Sequence, residues 1–308
     1  MTRVGLIGPA DREEIARLAM RIEERGGEAI VLDSRPDPAI VLEPGGERAC
    51  GQDLRGITGL YVADLGIRPP IKRREDGRVD LEATRLAGAA SRRHFMAWNA
   101  LLARVALRAR VVNPPQTHDL HTLKPWEMTV YAREKIPAPW TMATSEAARL
   151  LEIPPDREDG WITKGMVGGY TYTESFDPPR TAQAAAAALG AGTRMVQERI
   201  QGDNVRAFVL GSRVIGAAAV VSREGDETDS RRGGARVRRV TLPDAVAAVA
   251  VRAVACWGMH FAAVDFMVET RSGRYLVLEC NSAPFFVNFE AQSGCDISSR
   301  LAEYLLGR

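Results

Sequence analysis

The chain has 308 residues, of which 45% are apolar and 26% are charged, and its formal net charge is +2. These values are ordinary for a globular protein, and they exclude both a disordered chain and a polycation that binds nucleic acid through its bulk charge. A chain of this length predicts two or three domains.

The start of the chain predicts a small parallel α/β unit. An apolar strand at 4–8 precedes a stretch with helical spacing at 11–25, and Gly26-Gly27 separates that helix from a strand at 28–32. A strand–helix–strand order favours a parallel sheet. The sequence VGLIGP lacks the third glycine of a dinucleotide fingerprint, so we reject that interpretation.

The next part of the chain predicts one strand and one long helix before a domain boundary. Residues 33–80 are polar and rich in proline and glycine, with a strand near 59–62, and residues 81–110 read as a helix. The prolines in VVNPP, at 111–115, end regular structure and mark the boundary.

Helices and strands alternate through the rest of the chain. We predict helices over 123–134, 144–151 (capped by Thr144 or Ser145), 182–189, 244–257 and 297–306. We predict strands over 140–142, 161–164, 195–200, 205–210 and 213–221, the last two forming a hairpin over Gly211-Ser212.

The cellular location is predicted from three sequence signals: long apolar runs, a signal peptide and the pattern of cysteines. No apolar run reaches about 18 residues, and the N-terminus has no signal-peptide core, so we expect neither a membrane span nor export. The four cysteines show no CxxC pairing and no metal-ligand spacing, which favours reduced thiols. We therefore expect a cytoplasmic protein.

Two lysines are candidates for phosphate binding, and the sequence supports them to different degrees. Lys164 ends a predicted strand and precedes the glycine-rich loop GMVGG, whose backbone can approach an anion closely. The lysine comes before the glycines, which excludes a Walker A loop, and a plain β-turn is the alternative. Lys124 begins a predicted helix, and by itself it would be read as a solvated surface residue.

Arginines are concentrated between residues 223 and 239, where six of them occur. Such a cluster attracts phosphates or forms a solvated loop. Arg232 precedes two glycines, and Arg206 alternates with Phe208 on its predicted strand. A guanidinium fork suits phosphate oxygens at either position, although each arginine taken singly favours a surface role.

The most informative feature is a hairpin near the C-terminus, AAVDFMV followed by RSG and YLVLECN. If Ser272 is the middle of a three-residue turn, residue 270 faces 274 and Asp265 faces Glu279. Asn281 projects from the same face as Glu279, two residues away. Two carboxylates and an amide oxygen suit Mg²⁺ or Mn²⁺, and two acids on a solvated edge are the alternative.

These features occur in the order found in ATP-grasp proteins, and from Asn113 onward the chain resembles the RimK-type carboxylate–amine ligases. The resemblance is carried by VQERIQGDNVRAFVLGSRVIGAA, RRGGARVRRVTLP and the hairpin with its following SGCDISSRLAEYL. It implies an α/β protein with an ATP-grasp fold and an N-terminal pre-grasp domain. The expected domains are 1–113, 114–198 and 199–308.

The resemblance also implies roles for particular residues. The implied nucleotide-binding residues are Lys124 and Lys164 on the phosphates, Gly168 and Gly169 in the lid, Glu198 with the backbone of Arg199 and Ile200 on adenine, and Asp203 or Asn204 on the ribose. The implied catalytic residues are Arg206 and Arg232, facing the γ-phosphate and an acyl phosphate. The implied ligands of two Mg²⁺ ions, with Mn²⁺ as an alternative metal, are Asp265, Glu279 and Asn281.

The chain departs from the family pattern after Asn281. The sequence NSAP is followed by two phenylalanines where the family usually has glycine. Phe285, Phe286 and Phe289 would stack on an aromatic acceptor or would simply pack in the interior. The lid loop KGMVGGYTY and the linker after Glu198 are also shorter than usual.

The implied function is ATP-dependent ligation that releases ADP. A carboxylate would be activated as an acyl phosphate and joined to the amine of an amino acid, with glutamate expected, and the acceptor would be a small-molecule cofactor or a peptide. We expect a homo-oligomer and no nucleic-acid partner. The alternatives are a small-molecule kinase on the same scaffold and a nucleic-acid or protein binder that uses the arginine stretch.

Overall fold

The computed structural model of the chain describes all residues except 36–38, 67–70, 119, 121–122, 166–172, 191 and 223–234. The chain divides into two compact units. The first contains Met1–Pro115, Ala283–Val287 and Asp296–Arg308, and the second contains Gln116–Ser282 and Asn288–Cys295. The domain boundaries expected after residues 113 and 198 stay predictions.

Helices and strands are numbered in chain order over the described residues. Up to residue 115 they are β1 Arg3–Gly8, α1 Glu13–Glu23, β2 Glu28–Asp33, β3 Ile40–Glu43, β4 Gly46–Ala49, β5 Gln52–Asp53, β6 Ile57–Val62, α2 Leu81–Ala106 and β7 Arg110–Val112. Beyond it they are α3 Lys124–Arg133, β8 Thr141–Thr144, α4 Ala147–Leu150, β9 Trp161–Lys164, β10 Glu174–Phe176, α5 Ala182–Leu189, β11 Arg194–Glu198, β12 Gly202–Leu210, β13 Arg213–Ser222, β14 Ala235–Arg239, α6 Asp244–Ala255, β15 Phe261–Glu269, β16 Tyr275–Asn281, α7 Val287–Ser293 and α8 Ile297–Leu305.

The first unit is built on a parallel sheet with the strand order β2-β1-β6-β7, as far as the described residues show. Helix α1 follows β1 and buries Ile15, Leu18 and Ile22, which recur at the spacing of one helix face. Helix α8 also lies in this unit, and the absence of a side chain at Gly59 lets the Leu305 carbonyl approach β6 closely. The predicted parallel α/β opening is confirmed.

Two details of the first unit differ from the prediction. Helix α2 ends at Ala106 rather than near residue 110, because the apolar residues Val111 and Val112 pair in the buried strand β7. Strands β3, β4 and β5 form a small antiparallel sheet in a stretch where only one strand was expected. Since β3 is largely exposed, its sequence lacks the apolar alternation from which strands are predicted.

The second unit contains two antiparallel sheets within the described residues. One has the order β10-β9-β11-β8, and the other has the order β14-β13-β12-β15-β16. Helix α4 is shorter than predicted, because Thr144 belongs to β8, although its hydroxyl accepts the Glu146 N–H at 2.9 Å.

The two faces of the five-stranded sheet have different chemistry. One face packs on helices α3 and α6 through apolar side chains that include Ala207, Val264 and Val254. Because side chains alternate along a strand, Arg206 and Asp265 project from the opposite face. This polar face carries the candidate site.

Candidate functional site

The pairing of Asp265 with Glu279 is present in the structure. These residues face each other on β15 and β16, and Asn281, on the same strand as Glu279, donates its side-chain N–H to Asp265 Oδ2 at 3.0 Å. All three oxygen-bearing side chains therefore lie on the polar face of the sheet, as the hairpin pattern predicts.

The turn of this hairpin is nevertheless different from the predicted one. Residue 270 does not face 274. Instead Glu269 donates its N–H to the Arg274 carbonyl at 2.9 Å, and the Thr270 N–H goes to the Gln201 carbonyl. An irregularity between Asp265 and Phe266 then shifts the register by one residue, which restores the pairing of Asp265 with Glu279.

Arg206 is bound to the first of these acids. Strand β12 places Arg206 directly opposite Asp265, and the guanidinium donates from Nε at 2.6 Å and from Nη2 at 2.8 Å to the two carboxylate oxygens. The charge of Asp265 raises the pKa of Arg206 above its ordinary value. This two-point contact is the geometry in which an arginine binds an oxyanion most strongly.

Lys124 is bound to the second acid. Helix α3 begins at Lys124, with Pro125 in its first turn, and the lysine Nζ lies 2.9 Å from Glu279 Oε2. Burial acts to raise the pKa of Glu279, but the charges of Lys124, Lys164 and Arg206 outweigh burial and lower it. Three predicted cations thus act on one carboxylate.

Glu127 is a site residue that the sequence analysis missed. It lies one helical turn after Lys124, only 1% of it is exposed, and its Oε1 accepts the Tyr131 hydroxyl and the Cys280 N–H, the latter at 2.7 Å. Burial raises the pKa of Glu127 to about 7. Its spacing of three residues from Lys124, which places both on one helix face, is the signal that could have revealed it.

Glu127 ties helix α3 to the strand that carries Glu279 and Asn281. The Cys280 N–H lies between those two residues in the chain, and it donates to a carboxyl group on the helix that also supplies Lys124. A buried polar contact of this kind fixes the relative position of the two elements, since breaking it would leave a buried group unsatisfied.

Only some of the residues predicted to bind the nucleotide lie within the described part of the chain. Lys164 ends β9, where its backbone faces Met195 of β11. Gly168, Gly169 and Arg232 lie outside the described residues, as does most of the arginine stretch at 223–239. Their roles stay predictions.

Glu198, which the resemblance places on adenine, is bound to other residues of the chain. Its Oε1 accepts the Trp140 N–H at 2.9 Å, and Arg157 forms an ion pair with the same carboxylate. The backbone N–H of Arg199 is also engaged and donates to the Gly160 carbonyl at 3.2 Å. Ile200, which follows Arg199, is buried.

The two candidates for the ribose contact lie on opposite faces of the sheet. Asn204 is two residues before Arg206 on β12 and shares its face, whereas Asp203 projects from the other face. Of the two, only Asn204 lies on the face that carries Asp265 and Glu279.

The three phenylalanines after Asn281 have different surroundings. Phe286 is fully buried in the first unit, and Phe289 packs against Phe208 in the second with ring centroids 4.7 Å apart. Phe285 is 69% exposed, and the Arg12 guanidinium lies 4.3 Å from its ring centroid. Only Phe285, among these three, is accessible to a ligand.

The donor set fits a hard divalent cation. Asp265, Glu279 and Asn281 offer carboxylate and amide oxygens from one sheet face, which are the ligands that Mg²⁺ prefers. Asn281 uses its N–H for Asp265, so its amide oxygen is directed elsewhere. The described residues contain no group of three or more His, Cys, Asp and Glu side chains that could hold a metal.

The comparisons with known proteins concern the family and the fold of the chain. Residues 180–305 match the RimK-like ATP-grasp domain. A probable alpha-L-glutamate ligase of Serratia proteamaculans (strain 568) is 33% identical over 114 residues, which cover 36% of this chain and 37% of that protein. One of Picosynechococcus sp. (strain ATCC 27264 / PCC 7002 / PR-6) is 30% identical over 146 residues, covering 46% of this chain and 47% of its own length. The chain thus matches less than half the length of these curated relatives.

Solved structures resemble the chain along its whole length. The ATP-grasp ligase PsnB complexed with minimal precursor gives a TM-score of 0.83 at 23% identity and covers 100% of this chain and 99% of its own. The macrocyclase MdnC bound with precursor peptide MdnA, from Microcystis aeruginosa MRC, gives 0.76 at 18% identity and covers 100% of both chains. The predicted ATP-grasp fold and the RimK-type resemblance are confirmed.

Among the described residues, no helix combines the length and the apolar character that crossing a bilayer requires.

Proposed function

We propose that this chain, whose residues 180–305 match the RimK-like ATP-grasp domain, is an ATP-dependent carboxylate–amine ligase that releases ADP. One observation carries the proposal. Lys124 and Arg206 are bound to the facing acids Glu279 and Asp265, with Lys164 close enough to lower the pKa of Glu279.

The chemistry explains why such a site needs many cations. An amine does not attack a carboxylate at neutral pH, so the carboxylate oxygen first attacks the γ-phosphorus of ATP, and the bond to ADP breaks. The amine nitrogen then attacks the acyl carbon, phosphate leaves, and the amine loses a proton. The first step brings several anions together, and catalysis therefore consists mainly of positioning and charge stabilisation.

The cations of the site are proposed to change partners when ATP enters. Lys124 and Lys164 would bind its phosphates, and Arg206 would face the γ-phosphate, because phosphate oxygens compete with carboxylates for the same donors. Asp265, Glu279 and Asn281 would then be free to hold two Mg²⁺ ions. Bound there, Mg²⁺ would neutralise charge on the phosphates.

The remaining contacts are also part of the proposal. Adenine would be held at Glu198, Arg199 and Ile200, as the family resemblance implies. Asn204 is proposed for the ribose, because it lies on the site face. The lid residues Gly168 and Gly169 and the catalytic Arg232 complete the set.

An amino acid, with glutamate first, is the proposed amine, and a small molecule or a peptide is the proposed acceptor. Support for glutamate comes from the curated relatives, which are named glutamate ligases. Support for a peptide comes from the solved structures that cover the whole chain, which are complexes with precursor peptides.

The test measures products in a reaction of the purified protein with ATP, Mg²⁺, glutamate and a desalted cell extract. A ligase releases ADP and free phosphate, adds one residue mass to an acceptor, and in the presence of hydroxylamine converts the activated acid into a hydroxamate. ADP release that ignores amines, with phosphate retained on the product, would instead identify a kinase and overturn the proposal.

A further inference from the structure

Helix α2 is buried over only part of its length. Its buried residues are Trp98, Leu101, Leu102 and Val105, and none of the described residues from 81 to 97 is buried. The unburied part extends for about 25 Å at the usual helical rise. Since helices in proteins are stabilised mainly by packing, so long a stretch without a buried residue calls for a physical explanation.

The exposed stretch is firmly connected to the hairpin that precedes it. The Thr84 hydroxyl accepts the Lys72 N–H at 3.0 Å, and the Asp80 N–H donates to the Lys72 carbonyl at 2.8 Å. The Asp80 side chain also caps the helix by accepting the Ala83 N–H at 2.9 Å. We call residues 71–97, which comprise this hairpin and the unburied part of the helix, the α2 arm.

Six of the exposed residues of α2 follow the spacing of a helix-packing seam. They recur at alternating intervals of three and four, which is the pattern that a second helix packs against. The seam consists of Leu86, Ala89, Arg93, Met96, Ala100 and Ala103. Leu86 is 55% exposed and Met96 is 60% exposed, and the alanines between them permit a close approach.

The charge of the arm indicates the chemistry of the partner. Residues 71–97 contain seven basic and four acidic side chains, in a chain whose net charge is only +2. Arg93 lies within the seam, and the residues three and four positions before and after it are alanine or methionine. No acid three or four residues away on its own helix therefore pairs with Arg93, and an acid of a partner is a suitable counter-charge for it.

A second copy of the chain is poorly suited to pack against the seam of α2. A two-fold axis across the seam would bring Arg93, which lies near its centre, close to its own copy. Such a contact would place like charges together in an interface from which water is partly excluded.

We propose that the α2 arm is a docking surface for an acidic amphipathic helix of a partner chain. Leu86 and Met96 receive apolar side chains of that helix, and Arg93 and the neighbouring Arg92 bind its carboxylates. The inference does not depend on the proposed ligase activity, because no residue of the arm belongs to the candidate site.

The test uses a fluorescent three-heptad peptide with leucine along its seam and glutamate beside it, together with a twin in which every glutamate is lysine. Fluorescence anisotropy with the full chain should show at least about tenfold tighter binding of the acidic peptide, weakening as salt is raised. Arg93→Glu should reverse this preference. Arg300→Glu, an exposed arginine on α8 that alters net charge equally, should not.

A second variant separates the seam from charge alone. Met96→Gln, which removes the apolar side chain without changing charge, should weaken binding of the acidic peptide at least about tenfold while the thermal unfolding temperature stays unchanged, because the side chain is exposed. Equal binding of the two peptides, or equal effects of Arg93→Glu and Arg300→Glu, would overturn the proposal. So would concentration-dependent self-association in sedimentation that Met96→Gln abolishes, since the occupant would then be a second copy.

Discussion

The two sheets of the second unit both carry acids, but these acids have different kinds of partner. In the five-stranded sheet, Asp265 and Glu279 are bound by the long side chains of Arg206 and Lys124. In the four-stranded sheet, Glu198 accepts a backbone N–H from Trp140 and pairs with Arg157.

The difference separates a reactive site from a supporting contact. A flexible cation can leave a carboxylate when phosphate or a metal ion competes for either partner. A backbone N–H cannot leave without moving its strand, and the Trp140 ring also packs edge-on against Trp161 with centroids 5.2 Å apart. On this basis we propose a chemical role for the first set of acids and a supporting role for the second.

The largest expected effect tests the reactive side of this contrast. Glu279→Gln removes one of the two carboxylates in the proposed metal set, so Mg²⁺-dependent ADP release should fall by about a thousandfold. Turnover is measured across a Mg²⁺ titration, and circular dichroism verifies the fold. Glu269→Gln, at the turn end of the same hairpin, is the matched control and should retain activity. Full activity in Glu279→Gln would remove the metal assignment.

Glu127 should make the stability of the protein depend on pH. Because burial raises its pKa from 4.5 to about 7, the folded protein binds a proton more tightly than the unfolded chain does. This contribution is complete below the unfolded pKa and is lost as pH rises through the folded pKa, at a cost of about 3 kcal/mol. Unfolding free energies from urea titrations at pH 5 and pH 8 measure it.

The matched variant for this pH dependence is Glu127→Gln, which keeps an acceptor for Tyr131 and Cys280 but cannot titrate. The loss of stability between pH 5 and pH 8 should be smaller in the variant by about 3 kcal/mol. Equal losses in both proteins would show that Glu127 has an ordinary pKa.

A smaller effect is expected at Lys164. Its charge acts on Glu279 together with Lys124, so Lys164→Ala leaves the neighbouring cation in place. The KM for ATP should rise about tenfold, which corresponds to about 1.4 kcal/mol of lost phosphate binding. Steady-state kinetics against ATP give this value, with Lys135→Ala, an exposed lysine after α3, as the control. Unchanged kinetics would remove Lys164 from the phosphate site.

The two sets of acids also differ in how well the sequence predicts them. Period-two alternation places Asp265, Glu279 and Asn281 on one face, and the structure agrees. The pattern does not reveal that the turn has four residues or that the register shifts by one residue after it. The longer turn and the register shift offset each other, so the predicted pairing of Asp265 with Glu279 is correct although the predicted turn is not.

Non-local packing explains why the sequence did not predict the burial of Glu127 or the partners of Glu198. Glu127 occurs in a helix whose acids would ordinarily face water, and it is buried because β16, more than 150 residues later, packs over it. Likewise, the partners of Glu198 come from the loop that contains Arg157 and from Trp140, which local patterns do not connect with β11.

The smallest expected effect tests the supporting side of the contrast. Glu198→Gln keeps an acceptor for the Trp140 N–H and loses only the ion pair with Arg157, which is partly exposed. ADP release should therefore change less than about threefold, and the free energy of unfolding should fall by at most about 1 kcal/mol. Parallel assays of Glu198→Gln and Glu279→Gln at saturating ATP provide the comparison. A loss of turnover in Glu198→Gln as large as that in Glu279→Gln would mean that both sheets supply reactive acids.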